Sequence, residues 1–99
     1  MATSGDFGVG KVGDMLERDI EAHLVARVKA AGGIAFKFTS PQRRSVPDRL
    51  ILMPGGEVWF AELKAPGKVP TDAQLREHSR IRALGFKVLV IDSKEGCPV

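Results

Sequence analysis

Tyrosine is absent from the 99 residues, tryptophan and cysteine occur once each, and aromatic residues make up only 6% of the chain. Five phenylalanines and Trp59 suffice for one compact core, and a domain of this size buries only about 60% of its unfolded surface. A second domain within these residues is therefore excluded, and association with a second copy would add the burial that one copy lacks. The lone Cys97 excludes an intramolecular disulfide and a cysteine-rich zinc site, which fits an intracellular setting. Neither His23 nor His78 has zinc-motif spacing. Apolar runs are only a few residues long, so neither a membrane span nor a secretory signal is expected. What the chain does have is charge. Its 15 Lys and Arg against 12 Asp and Glu give a net charge of +3. The surplus lies after residue 36, and a basic balance favours an anionic partner such as nucleic acid.

Residues 1–13 hold four glycines and little apolar periodicity, which reads as a flexible N-terminal arm, with the folded domain spanning 14–99. Asp14 with Glu17 has the look of an N-cap and its acidic N3 partner, and Gly32-Gly33 supplies a stop, predicting a helix over Met15 to Ala31. Leu16, Ile20, Leu24 and Val28 form its apolar stripe. Strands are expected at 34–39, 48–53 and 57–64, the last two joined through Pro54-Gly55-Gly56 as a hairpin. Thr71 and Gln74 have capping-box spacing at the head of a second helix that runs to about Leu84 and stops at Gly85. Residues 86–92 (FKVLVID) read as a buried strand. The order is αβββαβ, an α/β (α+β) fold with a mixed central sheet flanked by helices, its first three strands antiparallel.

A three-residue hairpin loop sets Met53 opposite Glu57 and hence Asp48 opposite Glu62. Side chains so placed have Cβ atoms roughly 4.5 to 5.5 Å apart on one face. Two carboxylates at that distance repel unless a cation or a proton lies between them. Strand alternation adds Lys64 to the face of Glu62 and sends Trp59, Ala61 and Leu63 to the other, making Trp59 a hydrophobic anchor under the sheet or at a dimer seam. A hard divalent ion takes oxygen ligands and keeps several waters, so the two carboxylates and the Leu63 carbonyl would suffice for it. Such an ion lowers the pKa of bound water and stabilises the charge of phosphodiester cleavage. The alternative is that Asp48 begins a turn after Pro47 while Glu62 and Lys64 are an ordinary solvated pair. Against it stands the continuation of an apolar face, Val58 and Phe60, by charges.

Pro47-Asp48, then Glu62-Leu63-Lys64 on the next strand, with glutamates on the preceding helix, resembles the PD-(D/E)xK nuclease core. More narrowly, residues 46–50 (VPDRL), Pro54-Gly55-Gly56, residues 60–67 (FAELKAPG) and Gln74 resemble the VRR-NUC family, the virus-type replication-repair nucleases, over residues 15 to 95. The resemblance implies Mg²⁺- or Mn²⁺-dependent endonucleolytic cleavage of DNA, with no organic cofactor and a phage- or bacterium-type, cytoplasmic setting. It further implies a homodimer acting on branched DNA, most of all four-way (Holliday) junctions, as in DNA repair. The alternatives are a flap, nick or duplex nuclease of the same core and a nuclease-like DNA-binding module that does not cleave. Paired carboxylates facing an anionic ligand favour cleavage over mere binding. Carried over, Asp48 and Glu62 would be metal ligands and Lys64 the catalytic lysine. For the helix ligand both Glu17 and Glu21 fall about 20° from Val28 on a helical wheel. Glu17 has a capping role to serve, so Glu21 is the preferred ligand and Glu17 the alternative. Glu21 also stands about three turns before Gly32, the spacing implied by junction-resolving relatives.

Gln74 has two readings, capping partner of Thr71 or site residue on the helix face of Ile81, and one side chain can be both. His78 reads as a packed helix histidine rather than a ligand, and His23 as solvent-facing. For phosphate contacts, Arg43 and Arg44 lie in a loop that returns the chain at Asp48, with Arg49 and Lys68 as further DNA-binding residues. Arg76 and Arg80 belong to the outer side of the second helix, where a solvated face is the simpler reading. Too few aromatics are left for single-strand binding by base stacking.

Overall fold

The computed structural model describes residues 16–99; the 1–13 arm and the Asp14 cap lie outside them. The elements run α1 (Glu17–Ala30), β1 (Ile34–Lys37), β2 (Arg49–Leu52), β3 (Val58–Leu63), α2 (Asp72–Ala83) and β4 (Lys87–Ile91). They form one four-stranded sheet in the order β1-β2-β3-β4. The first two pairings are antiparallel, and β4 is parallel to β3, as the α2 crossover between them requires. This is the expected mixed αβββαβ sheet. The strands are shorter than their sequence patterns by a residue or two at the ends, where backbone rungs persist: the Phe38 amide donates to the Asp48 carbonyl at 2.8 Å and the Met53 amide to the Glu57 carbonyl at 2.9 Å.

The hairpin register follows from its turn. Gly55 and Gly56 both hold positive φ, 87° and 84°, so two successive residues take a backbone that side chains disfavour. Ile51 then faces Trp59 and Arg49 faces Ala61, which leaves Asp48 across from Glu62 as the expected three-residue loop requires.

Ile20, Leu24 and Val28 of α1 are fully buried against Ile51, Trp59, Ala61, Leu63 and Ile91 on one face of the sheet. Gly33 lets the chain leave α1 so close to β2 that an added Cβ would stand 2.6 Å from both the Leu52 carbonyl oxygen and the Met53 sulfur. The start of α1 departs from its pattern. Leu16 is the N-cap and stays exposed, and Asp19 is at N3, its carboxylate accepting from the Leu16 amide at 3.2 Å. Glu17 is accordingly the first helical residue and has no N3 capping role.

Trp59 is buried under α1, and its Nε1 donates to Glu57 at 2.7 Å. The Trp59 side therefore needs no further cover. The uncovered apolar surface is on the other face, because α2 packs toward β4 and leaves Ile34, Phe36 and Leu52 of β1 and β2 exposed. Across that face Phe60 meets Phe38 at 5.6 Å and Phe86 edge-on at 6.0 Å.

Candidate active site

Asp48 and Glu62 are held from opposite sides of the β2–β3 hairpin. Pro47, itself buried, delivers Asp48 at the mouth of β2, and Asp48 Oδ2 accepts from the Leu63 amide at 2.8 Å. Glu62 is 2% exposed, a position at which a charge needs partners. It has three. Gln74 Nε2 donates to Oε2 at 3.0 Å, His78 Nε2 meets Oε1 at 3.2 Å, and Lys64 Nζ stands 3.9 Å from Oε2. Burial, then the negative charge of Asp48, pushes the Glu62 carboxyl up to about 7 against the pull of Lys64. The two carboxyls thus face each other with less positive charge than they call for, and that deficit suits a cation.

The second helix is set by its cap. Thr71 Oγ1 accepts from the Gln74 amide at 3.1 Å, while Gln74 Oε1 accepts from the Thr71 amide at 2.9 Å. The same Gln74 side chain turns its nitrogen to Glu62, so capping and site contact share one amide group. His78 follows one turn later, entirely buried, with Nδ1 lacking a partner among the described residues. Burial, with Arg82 and Lys64 nearby, holds its pKa below the usual value. The sequence marked it as a packed histidine and missed its contact with Glu62. The signal was its i+4 spacing from Gln74.

The helix glutamate preferred from sequence is engaged elsewhere. Glu21 Oε2 accepts from Arg49 Nε at 2.8 Å, and the same guanidinium donates to the Ala35 carbonyl at 3.0 Å. In this structure Glu21 is thus paired with Arg49 rather than with Asp48 or Glu62. Glu17 is the α1 carboxylate that senses the pair: partial burial first and the charge of Asp48 next raise its pKa, and its own charge raises that of Glu62. Leu63 lies beside the pair through its amide. Among the described residues no three His, Cys, Asp or Glu side chains come close enough to enclose an ion by themselves. The donor chemistry nonetheless fits a hard divalent ion held by Asp48 and Glu62, with backbone oxygen and water completing its shell.

Arg43 and Arg44 lie on the β1–β2 loop, where Arg43 pairs with Glu77 of α2 at 2.8 Å. Lys68 is exposed in the turn after β3, its amide donating to the Ala65 carbonyl at 3.0 Å. His23 is half-buried rather than solvent-facing.

No model of a protein family matches the chain. A relative described as "Putative nuclease p44", from Acyrthosiphon pisum secondary endosymbiont phage 1, is 57% identical over 79 residues, which are 80% of this chain and 85% of the relative. A solved structure described as a VRR_NUC domain superposes with a TM-score of 0.76 at 35% identity, covering 80% of this chain and 86% of its own. Identity at that level over most of both partners carries more than a shared fold, and the chain belongs to the VRR_NUC nuclease domain family.

Proposed function

We propose that this chain is a divalent-metal-dependent endodeoxyribonuclease that acts as a homodimer on branched DNA, four-way junctions above all. The observation that carries the cleavage reading is the Asp48–Glu62 pair, with Glu62 buried and Lys64 beside it. A module that only bound DNA would gain nothing from two carboxylates turned toward an anionic ligand.

Asp48 and Glu62 would hold Mg²⁺ or Mn²⁺, with the Leu63 carbonyl as a backbone ligand and Glu17 of α1 adding negative charge from beyond direct reach. When bound, the ion supplies Lewis acidity toward the phosphate and lowers the pKa of water. The protein's own groups do the rest. Gln74 and His78 fix both oxygens of Glu62, so that carboxylate is oriented before any ligand arrives. Lys64 presents its ammonium on the same face, 3.9 Å from Glu62 Oε2, placed to orient the attacking water. Arg43 and Arg44 on the loop that ends at Asp48 would engage the DNA backbone, with Lys68 on the opposite turn.

The exposed face of Ile34, Phe36 and Leu52 supports a second copy as its cover. A two-fold dimer matches the near-two-fold symmetry of a four-way junction and would present two sites to two equivalent strands. No helix of the described residues is long and apolar enough to cross a membrane, and the proposed setting is the cytoplasm of a phage-infected or phage-bearing bacterium. The decisive assay is cleavage of a four-way junction, a flap and a linear duplex with Mg²⁺, with Mn²⁺ and with EDTA. Junction cutting that needs the metal is the expected result. Equal cutting of all three DNAs would remove the junction preference, and cutting in EDTA would remove the metal.

A further inference from the structure

Beside the carboxylate site lies a cleft of about 310 Å³ between the β1–β2 loop and α2. Four arginines line it, Arg43 and Arg44 from the loop and Arg76 and Arg80 from the helix, together with a single carboxylate, Glu77. Four like charges around one counter-charge repel, and the cleft gathers them where an ordinary solvated helix face would spread them apart. Arg43, its side chain still 47% exposed, binds Glu77 through Nε at 2.8 Å, and that contact holds the Glu77 carboxyl below the usual carboxylate range. The guanidinium fork fits carboxylate and phosphate oxygens alike.

The cleft shares its walls with the reaction site. The loop that carries Arg43 and Arg44 ends at Asp48, and Glu77 and His78 are consecutive on α2, so one helix turns Gln74 and His78 to Glu62 and Glu77 to the arginines. We infer that this cleft is a second phosphate-binding subsite, distinct from the Asp48–Glu62–Lys64 centre, that takes a backbone phosphate flanking the one to be cleaved. Glu77 occupies it in the DNA-free protein as an internal stand-in for that phosphate, and the incoming backbone displaces it from Arg43. The inference rests on the nuclease reading and adds Arg76, Arg80 and Glu77 to the surface that meets DNA.

The test is binding of a fluorescent four-way junction and a duplex by the full chain in EDTA, read by anisotropy over a range of salt, so that cleavage does not enter. Arg76→Ala/Arg80→Ala is expected to weaken binding about tenfold and to lower the salt slope by about one for each phosphate that the variant no longer engages. Glu77→Gln frees Arg43 and removes the competing charge, and is expected to tighten binding several-fold. Circular dichroism checks that both variants fold. If the wild type binds and the double variant keeps both its affinity and its slope, the subsite is overturned while the nuclease reading stands. Glu77→Gln binding no tighter than the wild type overturns the stand-in role. A wild type that binds neither DNA overturns the nuclease reading and the subsite with it.

Discussion

Glu62 concentrates the chemistry of the molecule in one side chain. Its carboxyl is pushed up to about 7, first by burial and then by Asp48, against an unfolded value of 4.5. A raised acid pKa means that the folded state binds the proton more tightly, so this contribution to stability is full below pH 4.5 and is lost as pH rises toward 7. At 1.36 kcal/mol per unit, the loss across that window is on the order of 3 kcal/mol. Thermal melting of the metal-free protein should therefore show stability falling from about pH 5 to about 7.5, and Mg²⁺ should restore it most at the upper end. A flat profile would mean that the pair is already neutralised within the fold. The helix glutamate gives a second prediction at this scale. Glu17→Gln should lower cleavage at limiting Mg²⁺ by about tenfold or more, because it removes charge near the pair. Glu21→Gln should act mainly on stability, because it breaks a half-buried pair with Arg49. Activity at stepwise metal concentrations together with urea melts separates the two effects, and the reverse ranking would return the ligand role to Glu21. A helical wheel placed both glutamates on the sheet face but could not choose between them. The choice depends on Arg49, 28 residues further along, and helix periodicity carries no information about that pairing.

The two elements that build the site were legible because each carries its own local signal. The Pro54-Gly55-Gly56 turn sets the register that brings Asp48 across from Glu62, and the Thr71–Gln74 box sets the rotation of α2 that aims Gln74 and His78 at Glu62. The start of α1 was not legible. Asp14 with Glu17 and Leu16 with Asp19 have the same three-residue spacing, and the second pair is the one whose carboxylate bonds to the helix start in the described residues. The cleft of arginines was invisible for a different reason: Arg43 and Glu77 are 34 positions apart, and only the fold makes them neighbours. Coupling of cap to site can be tested directly. Thr71→Ala removes the hydroxyl that accepts from the Gln74 amide and should cost about 1 kcal/mol in urea denaturation. Because Gln74 also holds Glu62, the substitution should reduce cleavage several-fold under conditions where the protein remains folded. Full activity at the reduced stability would show that Glu62 is held without the cap.

At the scale of the whole molecule the question is what covers the second face of the sheet. One face is closed by α1, with Trp59 beneath it, so the tryptophan anticipated as a candidate for a dimer seam is spent inside the protomer. The face that remains has Ile34 at 54% and Phe36 at 49% exposure on the edge strand β1, with Leu52 at 38% on β2 beside them. Large apolar side chains clustered at a sheet edge are rarely left to water, and a self-complementary pairing across a two-fold axis covers the same surface on both copies at once. Phe36→Lys together with Ile34→Thr should therefore convert a dimer into a monomer in sedimentation velocity at micromolar concentration. Circular dichroism should be unchanged, because neither residue belongs to the core beneath α1. The consequence for the reaction is specific. In the proposed dimer, two linked sites would cut both strands of a junction in one encounter, whereas a monomer would have to bind twice. The variant should then release nicked junctions as intermediates where the wild type yields paired cuts, at similar rates for the first cut. A wild type that sediments as a monomer would sink the dimer outright, and a monomeric variant that still made paired cuts would separate dimerisation from resolution.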